Sequence, residues 1–290
     1  MYITLALLPA LMWGLMPLLA TYIGGSQHHQ TLGVTLGALL LAIVIYIVKQ
    51  PALDGHILWV GMLSGLCWSV GQINQFAAIH RLGVSKAMPL STSMQLIFTA
   101  LCGVLIFSEW HSGAALMQGS FALLLIVLGA VCTAYRDKRV LAQADTSSTA
   151  PASSFVNGLI RLLISTAGYV SYVIVLRIYD IDPWSALLPQ ALGMAGAAFI
   201  MSIGHKPFSR ETGLNMVPGI AWGMGNVALQ VTAPIIGVAV SFSLSQVSLV
   251  IATLGGIFIL KEQKTSPEFK MSLLGVLLVI IGAVLIGYTR

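Results

Sequence analysis

Ten stretches of roughly twenty residues each, almost free of charge, make up nearly all of this chain, and that length is what a helix needs to cross a bilayer core about 30 Å thick. They fall near residues 2–23, 31–48, 57–79, 83–107, 114–135, 156–179, 184–204, 216–235, 237–260 and 271–289. With 57% hydrophobic and 8% charged residues, the chain has too little polar surface to cover a water-soluble globule. Strands of a membrane barrel would be about ten residues long and would alternate apolar with polar residues; the runs here do not alternate. The first run carries Pro9, Trp13 and Pro17 with no basic segment ahead of it, so it reads as a retained span and not a cleaved signal. The sequence predicts an all-α integral membrane protein with ten transmembrane helices.

The ten runs divide into two sets of five. Trp68, Gly71, Gly83, Val84, Leu90 and Ser91 recur at one offset as Trp222, Gly225, Gly237, Val238, Leu244 and Ser245. Gly103 and Glu109 match Gly256 and Glu262 after a one-residue slip, and Gln30 and Gly33 match Gln190 and Gly193. An odd number of spans per copy turns the second copy over in the membrane, the architecture of carriers that work by alternating access. The expected organisation is a first five-helix repeat over 1–135, a flexible linker over 136–155 where Ser, Thr, Ala and charge replace the apolar pattern, and a second, inverted repeat over 156–290.

The bases are scattered over short loops and form no patch that would suit nucleic acid. Counted on alternate loops they divide unevenly. Arg81, Lys86, Arg136, Lys138, Arg139, Arg161, Lys206, Arg210, Lys261, Lys264 and Lys270 fall on one side, and Lys49, Arg177 and Arg290 on the other. The rich side is expected to be cytoplasmic, which puts both termini outside the plasma membrane. Cys67, Cys102 and Cys132 lie in apolar runs without CxxC spacing, so neither a disulfide framework nor a metal site is indicated. Signatures of hydrolases, nucleotide-driven pumps and metalloenzymes are missing, and no cofactor is expected.

What remains is the polar content of the spans. An amide both donates and accepts hydrogen bonds in a fixed plane, as recognition of a sugar hydroxyl requires, and an indole face can stack on the C–H face of a sugar ring. Trp68, Gln72 and Gln75 share a face of the third run, and Trp222, Asn226 and Gln230 share a face of the eighth. Gln95 and Gln246 stand in the Ser-rich fourth and ninth runs. These eight residues are the candidate substrate-binding set, with interhelical cross-linking as the structural alternative. Asp and Glu are absent from the middle of every run, whereas proton-driven carriers usually keep an ionisable group there. The candidates for proton coupling are therefore Glu109, Glu262 and His80, with pinning of helix ends the competing role for the two glutamates. For Lys86 the expected partner is Glu109 or Glu262, or the membrane surface.

The segments LALLPALMWG, CWSVGQINQF, GVSKAMPLSTSMQL, LLPQALGM and GVAVSFSLSQVSLVIATLGGIFILKEQKT resemble the bacterial glucose/ribose uptake proteins of the drug/metabolite transporter superfamily, and the likeness covers essentially the whole chain. The resemblance implies ten helices in two inverted five-helix repeats and import of a neutral monosaccharide, glucose or ribose, by proton symport. It supplies no binding residues, so the candidate site rests on the amides and indoles above. The rival readings are a facilitator or an exporter of small metabolites or drugs on the same fold, and a non-transporting membrane sensor.

Overall fold

A computed structural model of the chain describes residues 2–137 and 150–289; most of the expected linker, 138–149, lies outside the described residues. Among the described residues every regular element is helical, and ten helices are long and apolar enough to span a membrane. They are α1 (Thr4–Ile23), α2 (Gln27–Lys49), α3 (Gly55–Leu82), α4 (Val84–Phe107), α5 (Gly113–Ala134), α6 (Ser154–Ile178), α7 (Pro183–Ser202), α8 (Arg210–Ile236), α9 (Val240–Phe258) and α10 (Ser266–Gly287). The protein is a multi-pass membrane protein, and its side chains are distributed accordingly. Ile47, Val48, Leu105, Met117, Val131 and Ile200 are all more than half exposed, large apolar groups that suit acyl chains and not water.

Helix starts are set by caps that hydropathy does not register. Ser26 accepts from the His29 N–H and His29 answers the Ser26 N–H, a capping box that starts α2 before its apolar run. Thr265 and Glu268 do the same for α10. The prolines inside spans do not break them: helix continues through Pro17, Pro89, Pro189 and Pro234. Interruptions fall instead at Leu7 in α1, Asn215 in α8, and Gln246 and Val247 in α9.

Packing between the halves follows one rule. α3 lies against α6 and α7, and α8, its sequence counterpart, lies against α1 and α2; α2 pairs with α7, α4 with α9 and α5 with α10. Replacing each helix by the one five places away leaves this set unchanged. Glycines make the tightest contacts. A Cβ on Gly65 of α3 would strike the Gln190 carbonyl of α7, and one on its counterpart Gly219 of α8 would strike the Val34 carbonyl of α2. Backbones this close gain dispersion contacts that bulkier residues would forbid, and in lipid such packing is a principal attraction between helices.

Charged groups close the two ends. At one, Lys86 Nζ stands 4.0 Å from Glu268 Oε1, so its partner is neither of the two glutamates expected from sequence. At the other, Lys49 lies over the Trp184 ring at 3.6 Å, and Arg177 pairs with Glu109 at 2.5 Å.

Candidate functional site

Three side chains of α8, spaced one and two turns apart, open onto one cavity. Trp222, Asn226 and Gln230 line it from α8, facing Gln190 and Met194 of α7, Tyr172 of α6 and the small residues Ala38 and Ala42 of α2. Its volume is about 20 Å³, room for a single water molecule. A hexose enters only if the walls part.

The polar groups there are unequally committed. Gln190 Nε2 donates to Ser64 Oγ at 3.0 Å, and Ser64 Oγ donates to the Tyr172 carbonyl at 2.8 Å, which fixes the α7 side of the cavity. Asn226 Nδ2 makes only a long contact of 3.4 Å to the Trp222 carbonyl. Gln230 Oε1 is buried without a hydrogen-bond partner among the described residues. A buried amide oxygen left unpaired costs about 1–3 kcal/mol, and a bound hydroxyl that donates to it removes that penalty.

The matching face of α3 is spent internally. Tyr169 Oη of α6 donates to Gln72 Oε1 at 2.7 Å and to Gln75 Oε1 at 3.0 Å. Gln75 Nε2 and Gln95 Nε2 both donate to Ser91 Oγ, at 2.8 and 3.0 Å, tying α3 to α4. Trp68 is walled in behind the cavity, with its ring 4.7 Å from that of Trp222 and 6.0 Å from that of Tyr169. Gln246 is buried at the interruption of α9, and His80 is exposed near the end of α3. Of the eight sequence candidates, Trp222, Asn226 and Gln230 meet at the cavity; Trp68 backs it, and Gln72, Gln75 and Gln95 form a separate network. The walls come from α2, α6, α7 and α8; of the spans that sequence offers for the site, the third, fourth, eighth and ninth joined by the first and sixth, the sixth and eighth line this cavity.

One pair of residues explains why equivalent faces differ. The bare backbone of Gly71 makes room for the Tyr169 ring, and that of Gly225 makes room for the Trp13 indole. A phenol hydroxyl reaches the amides of α3. The Trp13 Nε1–H instead donates to the Trp222 carbonyl at 3.2 Å, which leaves the amide side chains of α8 free for another partner. Tyr172 and Gln190 also line the cavity, outside the eight sequence candidates. Tyr172 sits in an apolar run where a tyrosine usually signals packing, and Gln190, which sequence puts at the entrance to the seventh run with lining the pore mouth and capping a helix both open, lies two turns inside α7. The match between Gln30 and Gln190 is the available signal, but Gln30 does not line this cavity: its Nε2 donates to the Ala20 carbonyl at 2.8 Å, and its Oε1 is buried without a partner among the described residues.

The two repeat-matched glutamates are also placed differently. Glu262 accepts from the Val84 N–H at 2.5 Å and from the Ser85 N–H at 3.0 Å, capping the start of α4. Glu109 lies at the opposite end of α4 in its half-exposed pair with Arg177.

Comparison with known proteins places these features in context. The Sugar transport protein family matches residues 4–289. The glucose uptake protein GlcU of Bacillus subtilis is 46% identical over 290 residues, covering 100% of this chain and 99% of that one. The putative sugar uptake protein lmo0169 of Listeria monocytogenes is 45% identical, with 100% of both chains covered. A protein solved by crystallography superposes with a TM-score of 0.62 over 100% of this chain and 99% of its own, at 14% identity; that likeness concerns the fold alone.

Proposed function

The chain belongs to the Sugar transport protein family, and from that premise we propose that this sugar transporter carries glucose inward across the plasma membrane by alternating access. It is a carrier and not an enzyme. The observation that carries the reading is the unpartnered Gln230 carbonyl beside Asn226 and the Trp222 indole in one cavity. Those groups offer an acceptor, a donor and an aromatic face, the set a neutral polyol uses. Relatives named for glucose uptake support glucose over other sugars. Alternating access is supported by the exchange of each helix for the one five places on, as two copies of opposite orientation would pack. In this reading one five-helix unit rocks on the other around the cavity, and both termini face outward.

Facilitated entry without protons is a second reading with its own observation. The carboxylate of Glu262 is engaged by backbone N–H groups and that of Glu109 by Arg177, so neither lies in the cavity that would hold sugar. Proton symport, which the family likeness suggested, would have to act through helix ends.

Counterflow of labelled glucose into proteoliposomes tests both. Glucose, with ribose and other neutral sugars as competitors, is expected to accumulate transiently, and Gln230→Ala and Asn226→Ala each to slow it by about two- to tenfold, the loss of one ordinary hydrogen bond. A failure of every sugar in the panel to exchange would overturn import of a monosaccharide. Stimulation by an inward proton gradient selects symport, and indifference to it selects facilitation.

A further inference from the structure

Two structural pieces recur in both halves, and only one copy of the pair is joined. The first piece is a glutamate on a fixed arm. After α4, Ser108 takes the left-handed conformation at φ 51° and the Glu109 N–H returns to the Gly103 carbonyl at 3.0 Å. After α9, Lys261 does the same at φ 55° and the Glu262 N–H returns to the Gly256 carbonyl at 3.1 Å. The second piece is a glycine turn that opens a helix: Gly83 at φ 78° before α4, and Gly237 at φ 90° after α8. Each presents the first backbone N–H groups of the following helix, which have no partner inside it. Glycine is required at both, since a side chain is strained at that φ.

At the Gly83 turn the arm is docked. The Glu262 carboxylate takes the Val84 and Ser85 N–H groups and lies 2.8–2.9 Å from where a Gly83 Cβ would be. This contact joins the second half to the first, and charge-assisted bonds at a helix N-terminus are among the stronger polar contacts. At the Gly237 turn nothing among the described residues lies within 4 Å of the equivalent position, and Glu109 is held by Arg177 instead. The same lock exists twice, shut at one end of the molecule and open at the other.

We propose that Glu262 and Glu109 are reciprocal latches. Glu262 holds the Gly83 end shut in the state described here. When that end opens Glu262 leaves the turn, and Glu109 exchanges Arg177 for the Gly237 turn to shut the opposite end. The inference rests on the alternating-access reading and assigns to these glutamates the control of which end is open. Gly237 is accordingly free here because the end it guards is the one unlatched.

A buried reporter beside the shut latch makes the test. Ser85 is 1% exposed, and Ser85→Cys keeps its backbone N–H. In a background carrying Cys67→Ala, Cys102→Ala and Cys132→Ala, the rate of modification by a membrane-impermeant methanethiosulfonate applied at the Gly83 side is measured without sugar. Glu262→Ala is expected to raise that rate by about tenfold or more, since it removes two charge-assisted bonds. Glu262→Gln, which keeps the shape and one acceptor, should raise it less, and it stands in if the alanine variant fails to fold. Glu109→Gln should leave the rate unchanged or lower it. Equal rates in the parent and both Glu262 variants would overturn the latch. Glucose counterflow in the same preparations is a separate readout: its loss in the parent would sink the transport reading while the labelling still decides the latch.

Discussion

Trp13 and Tyr169 occupy the same kind of niche, each against a glycine one turn from a tryptophan, yet they send the two amide faces to different fates. Tyr169 spends its hydroxyl on Gln72 and Gln75, so these amides hold α3 to α6 and α4. Trp13 spends its N–H on a backbone carbonyl, so Asn226 and Gln230 stay available. Tyr169→Phe strands the buried Gln72 Oε1, leaves Gln75 Oε1 with only the long Gln72 Nε2 contact at 3.4 Å, and is expected to lower stability by about 1–3 kcal/mol, read as a lower thermal midpoint in detergent, with the remaining folded protein still exchanging glucose. The reverse split, intact midpoint and impaired exchange, belongs to Gln230→Ala. At this scale the sequence disclosed which residues are polar and which share a helix face. It could not disclose which of two similar faces meets a tyrosine, because that partner lies about a hundred residues away.

Helices α3, α7, α8 and α2 depend on glycine where their backbones meet. A methyl group added at Gly219 meets the carbonyl, C and Cα of Val34, none of which is a flexible side-chain end. Gly219→Ala is therefore expected to force α2 from α8 and to destabilise the protein by about 1–3 kcal/mol, as overpacking does. Gly196→Ala, on the same kind of helix but facing open space, should leave the thermal midpoint unchanged or raise it. Hydropathy located all ten elements, but not their ends, since Ser26 and Thr265 start α2 and α10 by capping. Nor did it locate the interruptions: Asn215 and Gln246, and not the prolines, are where α8 and α9 break. A proline inside a span is tolerated where neighbouring groups satisfy the carbonyl four residues earlier that its missing N–H leaves unpaired.

Across the whole molecule, the exchange pattern of helix pairs and the uneven distribution of Lys and Arg point to one oriented body. The end bearing Lys86, Lys264 and the docked Glu262 is the basic one, and the proposed orientation puts it in the cytoplasm. An impermeant amine or thiol reagent on intact cells should modify a tag at either terminus and spare a cysteine placed at Lys138; the opposite result would invert the topology without affecting the pairing of helices.

Composition and spacing alone determined the ten spans and the supply of amides and indoles inside the bilayer, because lipid demands long uncharged helices. Only the tertiary structure decided that the cavity belongs to α2, α6, α7 and α8, that Lys86 answers Glu268, and that one glutamate is docked while its twin is not. Those outcomes depend on contacts between the halves, where equivalent residues meet non-equivalent partners, and a linear sequence records the residues without the distances between them.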